Sequence, residues 1–179
     1  MSFSSPVLLV DGYNIIGAWS ELKSLRDRDL ESARDRLIEV LINYTASKGY
    51  ETHIVFDAHF QATPKFRETP TDYLSIYYTA YGETADTYIE KFCANNSRQG
   101  KMVQQRLIVA TSDRAQQLTV SGYGAQWLSA RQLEQDVHFA KGRVKTKQRS
   151  RPKPQGRFLF NSLDPKAQKQ LSKLRHGQP

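Results

Sequence analysis

Acidic residues recur in this chain where a hydrophobic run stops. Asp11 closes the run 7–10 (VLLV), Asp57 closes 52–56 (THIVF), Glu83 and Asp86 follow 73–81 (YLSIYYTAY), and Asp113 follows 106–111 (RLIVAT). If these runs are strands of one parallel sheet, four segments deliver carboxylates to its carboxyl edge, where open α/β sheets form their binding crevices. Carboxylates gathered there repel one another, and without a counter-charge their pKa values rise at a free-energy cost. A divalent cation removes that cost. Oxygen donors select a hard ion, Mg2+ or Mn2+, and Mg2+ keeps bound water while bridging to phosphate oxygens. The chemistry such a site suits is phosphodiester hydrolysis, with metal-activated water as nucleophile.

Each acid has a simpler explanation when taken alone. Asp113 before RAQQL suits a helix N-cap, and Asp86 sits in a first helical turn, where the dipole favours negative charge. Five acids from four segments at one sheet edge are harder to explain as caps alone. Asn14, three residues after Asp11, is placed either to orient Asp11 or a phosphate through its amide, or to stabilise a turn. Arg34 and Arg36 fall on a helix and either meet phosphate or form a solvated face. His53 and His59 flank Asp57, but an isolated histidine is weak evidence and neither enters the catalytic set. Tyr73, Tyr77, Tyr78 and Tyr81 read as core or groove residues, one or two of which could stack on bases.

The elements that would position these residues are legible from periodicity. Residues 7–10, 52–56, 73–81, 106–111 and 125–129 read as strands, the first two as runs buried on both faces. Between them, 27–48 carries Ala33, Leu37, Val40, Leu41 and Tyr44 on one helical stripe, with Gly49 placed to end it. A second helix starts at Thr84 and carries Ala85, Ile89, Phe92 and Cys93 inward. A short third helix runs from Asp113 to Val120. Ser129 with Gln132 opens a fourth over 130–141 as a capping box. Residues 60–72, polar and holding Pro64 and Pro70, read as a loop. This alternation predicts an α/β fold with a mainly parallel sheet.

Charge divides the chain at the same place as the periodicity. Of its 179 residues, 1–140 carry 14 Lys/Arg against 17 Asp/Glu, a net of −3, whereas 141–179 carry 12 Lys/Arg against Asp164 alone, a net of +11. The overall +8 therefore belongs to the tail, whose field attracts a polyanion such as RNA. The expected organisation is a globular domain over 1–141 and a basic arm over 142–179, extended or flexible, with a short helix over 164–175 and Pro165 in its first turn. The arm's Arg143, Lys145, Lys147, Arg149, Arg151, Lys153 and Arg157 are candidate phosphate contacts, giving affinity without sequence choice. The single Cys93 excludes an intrachain disulfide and a cysteine zinc cage. The short apolar run after MSFSSP has no basic segment before it and ends in Asp11, so neither a signal peptide nor a membrane span is expected.

Four motifs in order then make the chain recognisable. VDGYNIIGAW (10–19), VFDAH (55–59), GETADTYIEKF (82–92) and VATSD (109–113) resemble those of the bacterial and plastid YacP-type branch of NYN-domain proteins, within the PIN-like nuclease superfamily. The resemblance covers about residues 5–140. It implies a PIN-like three-layer α/β domain and a Mg2+- or Mn2+-dependent endoribonuclease, located in the cytoplasm or, in a plastid-bearing organism, the stroma. It maps Asp11, Asn14, Asp86 and Asp113 onto the family's acidic pocket, with Asp11, Asp86 and Asp113 as metal ligands. Asp57 and Glu83 complete the negative charge, and Arg34 and the arm bind RNA. One branch of the family cuts mRNA on the translating ribosome, so mRNA and the ribosome are the implied partners. The rival from a different class is an RNA- or ribosome-binding protein on a nuclease scaffold without activity. A haloacid-type phosphatase would need a second Asp at position 13, which is Tyr13. A receiver domain would need an acid pair at the first strand.

Overall fold

A computed structural model describes residues 5–57, 66–99 and 105–149, with side chains as far as Gly142. The chain divides between Gly142 and Arg143, and the fold below is that of the first unit. Six strands form one sheet in the order β3-β4-β2-β1-β5-β6. β1 (Val7–Asp11), β2 (Glu51–Phe56), β4 (Leu74–Tyr78), β5 (Leu107–Ala110) and β6 (Gln126–Leu128) are parallel, and β3 (Phe66–Thr71) is antiparallel at one edge. The expected α/β class with a mainly parallel sheet is what the structure has.

Alternate strand residues go to opposite helical layers, as the two-residue strand period requires. Leu8, Val10, Ile54, Phe56 and Ile108 pack with α1 (Gly12–Ala18), α2 (Ser20–Arg26), α3 (Leu30–Lys48) and α6 (Ala130–Arg149). Val7, Leu9, Val55, Leu107 and Val109 pack with α4 (Ala85–Arg98) and α5 (Arg114–Gly122). This double coverage explains why β1 and β2 read as unbroken apolar runs. From central β1 the chain moves to β2 and β4 on one side and later to β5 and β6 on the other. The point where the strand order reverses lies between β1 and β5, so a crevice is expected beyond their carboxyl ends.

Several expected boundaries shift, each for a local reason. The helix expected over 27–48 begins at Leu30, because the Asp29 carboxylate accepts from the Glu31 and Ser32 amides and caps it there. Gly49 ends it with φ +66°, as expected. The residues before Asp29 form α1 and α2, two one-to-two-turn helices too short to show a stripe. They meet at Trp19, whose indole N–H donates to the Ala130 carbonyl at 2.8 Å. The third strand is shorter than 73–81, ending at Tyr78.

Residues 66–71 are not loop but strand β3, with every residue exposed or half-exposed. An uncovered edge strand needs no apolar alternation, and Pro70 is tolerated where its missing N–H lies on an edge. The register shifts between Glu68 and Thr71. Residues 142–149 are likewise helical and not an extended arm, because α6 runs on to Arg149. Extending an existing helix through lysine, arginine and glutamine costs little, and no apolar stripe is needed for it. The Ser129–Gln132 capping box does open this helix: Gln132 N–H donates to Ser129 Oγ at 3.1 Å and Ser129 N–H to Gln132 Oε1 at 3.1 Å. The helix expected over 164–175 and the residues Arg151, Lys153 and Arg157 lie outside the described residues, as does His59. No described helix is long and apolar enough to cross a membrane.

One close approach fixes the start of α1 against β2. A Cβ on Gly12 would lie 2.3 Å from the Phe56 ring, which is fully buried between Tyr13 and Tyr78 and cannot swing away. Gly12→Ala should therefore destabilise the protein by about 1–3 kcal/mol through overpacking. Thermal melting checks this, and adding Phe56→Leu should restore most of the loss. A Gly12→Ala protein that melts like wild type would show the contact to be slack.

Candidate acidic site at the carboxyl edge of the sheet

Of the helices that begin at the carboxyl edge, α1, α4 and α5 each have an N-terminus tied to an acid at or just past the end of a strand. Asp11, the last residue of β1, accepts from the Asn14 amide at 3.1 Å and caps α1. Asp57, just past β2, accepts a short hydrogen bond from the Ala85 amide at the start of α4. Asp113, after β5, caps α5 by accepting from the Ala115 and Gln116 amides at 2.7 and 3.0 Å. Asp86 lies in the first turn of α4, behind the Thr84 cap. Unpaired amides and the helix dipole make each N-terminus a favourable place for negative charge.

These carboxylates are close enough to act on one another. Asp11 is buried, 8% exposed. Burial first, then the charges of Asp86 and Asp57, push its carboxyl up to about 7, against the lowering effect of the Asn14 amide. Asp86, more open to solvent, is also raised, by partial burial and then by Asp113 and Asp57. Asp11 and Asp86 hydrogen-bond side chain to side chain, which favours the protonated form of Asp11 and the ionised form of Asp86. The two carboxylates are therefore coupled, with Asp57 and Asp113 as further negative neighbours of Asp86.

Asn14 contacts both Asp11 and the turn after β5. Its main-chain amide serves Asp11, while its side-chain Oδ1 accepts from both the Ser112 amide and the Ser112 hydroxyl, each at 2.6 Å. It therefore ties α1 to the turn after β5 across the sheet's switch point. Thr111 supports the same turn, its Oγ1 accepting from the Asp113 amide at 3.0 Å. Glu83 pairs with Lys91 at 2.9 Å. Arg34, on α3, hydrogen-bonds Tyr13, whose hydroxyl also feels Asp57, so this cation stands at the rim of the acidic group. Arg36 is engaged by Glu21 and Glu39 at 3.0 and 2.8 Å. His53 is buried against Tyr77 and Phe92, and burial lowers its pKa. The side chains of Arg143, Lys145, Lys147 and Arg149 lie outside the described residues.

Gln116 was not foreseen from the sequence. It is 6% exposed, and its Nε2 donates to Asp86 Oδ1 at 2.5 Å, while its own amide is held by Asp113. Its Oε1 is buried with no hydrogen-bond partner. Among the described residues, no three acidic, histidine or cysteine side chains stand as a ready cage for a metal ion. The side chains that act on Asp86 from either side, Asp11 and Asp113, offer only carboxylate oxygens. Such a donor set fits a hard divalent cation and not zinc or copper.

Similarity to known proteins bears on the same residues. A model of the YacP-like NYN domain matches residues 8–176. The protein YacP of Bacillus subtilis (strain 168) is 35% identical over 175 residues, which span 96% of this chain and 97% of that one. The crystal structure of Rae1 (YacP) from Bacillus subtilis superposes with a TM-score of 0.68 at 34% identity, covering 96% of this chain and 95% of that one. A structure of its tryptophan-to-leucine mutant gives a TM-score of 0.68 at 31% identity, covering 94% of this chain and 99% of that one.

The raised carboxyl of Asp11 has a consequence for stability. Its pKa goes from 3.8 to about 7, so the folded state binds its proton more tightly than the unfolded chain. Asp11 therefore does not oppose folding below about pH 4, opposes it increasingly up to pH 7, and opposes it fully above. Asp11→Asn keeps the shape and removes the charge. In EDTA it should stabilise the protein at pH 8 by roughly 1–4 kcal/mol, and the gain should vanish near pH 4. Thermal melts at both pH values check this; equal gains at both would mean that Asp11 carries no electrostatic strain.

Proposed function

This chain belongs to the YacP-like NYN domain family, whose domain is of the PIN-like nuclease type, and from that premise we propose that it is a Mg2+- or Mn2+-dependent endoribonuclease. The observation that carries the proposal is the placement of four carboxylates at the helix starts of one sheet edge, with Asp86 acting on Asp11 and with Asp57 and Asp113 beside it. Acids brought together at the cost of raised pKa values are placed to receive a cation, and a substrate with phosphate oxygens completes the coordination that Mg2+ prefers.

In this reading Asp11, Asp86 and Asp113 hold one or two ions, directly or through water. A bound Mg2+ or Mn2+ supplies a water of lowered pKa as nucleophile and neutralises charge developing on the phosphate. Asp57 adds negative charge and fixes the start of α4, so that Asp86 meets Asp11. Asn14, through Ser112, keeps the turn carrying Asp113 against α1. Arg34 at the rim is placed to meet a backbone phosphate near the scissile bond, while the basic residues from Arg143 onward attract the RNA chain. Glu83, paired with Lys91, adds further negative charge beside this group. mRNA on the ribosome is the proposed setting, supported by the motif resemblance and by the +11 of residues 141–179.

Incubating the purified protein with a circular RNA, which offers no end to an exonuclease, tests the reading. Linear product should appear with Mg2+ or Mn2+ and not with EDTA. Asp86→Asn should fold and bind RNA but fail to cut. No cleavage by wild type with either metal, in the absence or presence of ribosomes, would sink the nuclease assignment and leave an RNA-binding protein.

The basic segment makes a separate prediction. Replacing Arg143, Lys145, Lys147 and Arg149 with glutamine should weaken RNA binding and flatten its salt dependence. For every phosphate that a cation no longer neutralises, the slope of log K against log salt should fall by about 0.7. Cleavage at saturating RNA should stay near wild type. An unchanged slope would mean that these cations do not touch the RNA.

A further inference from the structure

Gln116 combines features that folding alone does not account for. It is 6% exposed at the first turn of α5, yet its carboxamide oxygen has no hydrogen-bond partner. A buried polar atom left unpaired costs on the order of 1–3 kcal/mol, and a methionine or leucine would fill the same space without that cost. A group retained against stability is expected at sites of function. Its two other polar contacts both go to carboxylates of the acidic group. The side-chain Nε2 donates to Asp86 Oδ1 at 2.5 Å, and the main-chain N–H donates to Asp113 Oδ1 at 3.0 Å. Asp86 stands on α4 and Asp113 heads α5, so Gln116 joins two acids that come from different helices.

We propose that Gln116 is a positioning residue of the acidic centre: it fixes the Asp86 carboxylate relative to Asp113, so that both face one divalent cation. The inference rests on the nuclease reading above. By donating to one oxygen of Asp86, the carboxamide restricts the rotation of an otherwise solvent-facing side chain and leaves the second oxygen for Asp11 or a cation. Second partners that orient metal-binding carboxylates commonly account for about 10–100-fold in metal affinity or activity.

Gln116→Met, which keeps the volume and removes the amide, separates positioning from packing. Two readouts are needed: Mn2+ titration by calorimetry without RNA, and steady-state cleavage of RNA across a Mg2+ series. The expected result is Mn2+ binding weakened about tenfold or more, kcat lowered at fixed Mg2+, the KM for RNA within about twofold of wild type, and partial recovery of kcat at high Mg2+. Melting should be unchanged or slightly raised, because the orphaned oxygen is gone. If Gln116→Met binds Mn2+ and cuts RNA as wild type does, Gln116 is packing and the proposal is wrong. Should it fail to fold, Gln116→Leu takes its place under the same criteria. Wild type serves as the control for the underlying reading. If wild type neither binds Mn2+ nor cuts RNA, that reading fails first; if wild type does both and the variants match it, only the role of Gln116 is overturned.

Discussion

Repulsion among carboxylates at one edge of the sheet is the constraint around which this protein is built. Asp11 is almost wholly buried at the end of the central strand, and its neighbours in space are Asp86 and Asp57. A buried carboxylate without a cationic partner holds its proton, and Asp11 does so up to about pH 7. Sheet topology gives the group its location: β1 and β5 are adjacent but their connections leave in opposite directions, so a crevice opens between the turns that follow them. A fold that only needed helix caps at these points would gain from asparagine, serine or threonine, which cap well without charge.

The distinction between helix cap and site residue, sharp when each acid is considered alone, dissolves in the structure. Asp11, Asp57 and Asp113 each accept from amides in the first turn of a helix. Those amides orient the carboxylates and offset part of their mutual repulsion, because a helix N-terminus is a region of positive potential. Capping is therefore the device that makes the cluster tolerable. Since one oxygen of Asp113 serves both the Ala115 and Gln116 amides, the carboxylate is held by its cap while its other oxygen remains available.

How much was legible in the sequence follows from which interactions are local. β1, β2 and β5 were readable because strands covered on both faces must be apolar throughout, and α3 because a long helix with one buried face repeats its stripe. The family resemblance, read from four short motifs, is borne out by the match over residues 8–176. Edge strand β3 was missed because its residues are exposed or half-exposed, so it carries no apolar alternation. Helices α1 and α2 were missed because two short helices broken at Trp19 never complete a stripe. The continuation of α6 past residue 141 was missed because basic residues were read as an arm, although lysine and arginine are good helix formers. At the site, the acids were visible because strand ends are visible. Gln116 was not, since its partnership with Asp86 depends on α4 and α5 lying side by side. The pairing of Glu83 with Lys91 was equally invisible, because Lys91 reaches back two helical turns to make it.

The charge division along the chain then has a physical reading under the nuclease proposal. Residues 1–140 are net negative, and their most concentrated negative charge is the crevice itself. Left to itself, that surface would repel the backbone of an RNA. Arg34, near Tyr13, brings one positive charge toward the four carboxylates. Two things can reverse the sign: divalent ions at the centre and the +11 of residues 141–179. They act over different distances, since a metal works in direct contact while a dense cationic segment acts out to about 8 Å, one Debye length, at physiological salt. Capture and cleavage would therefore fail separately: salt should release the RNA by screening the basic segment, whereas chelation should leave RNA bound but uncut.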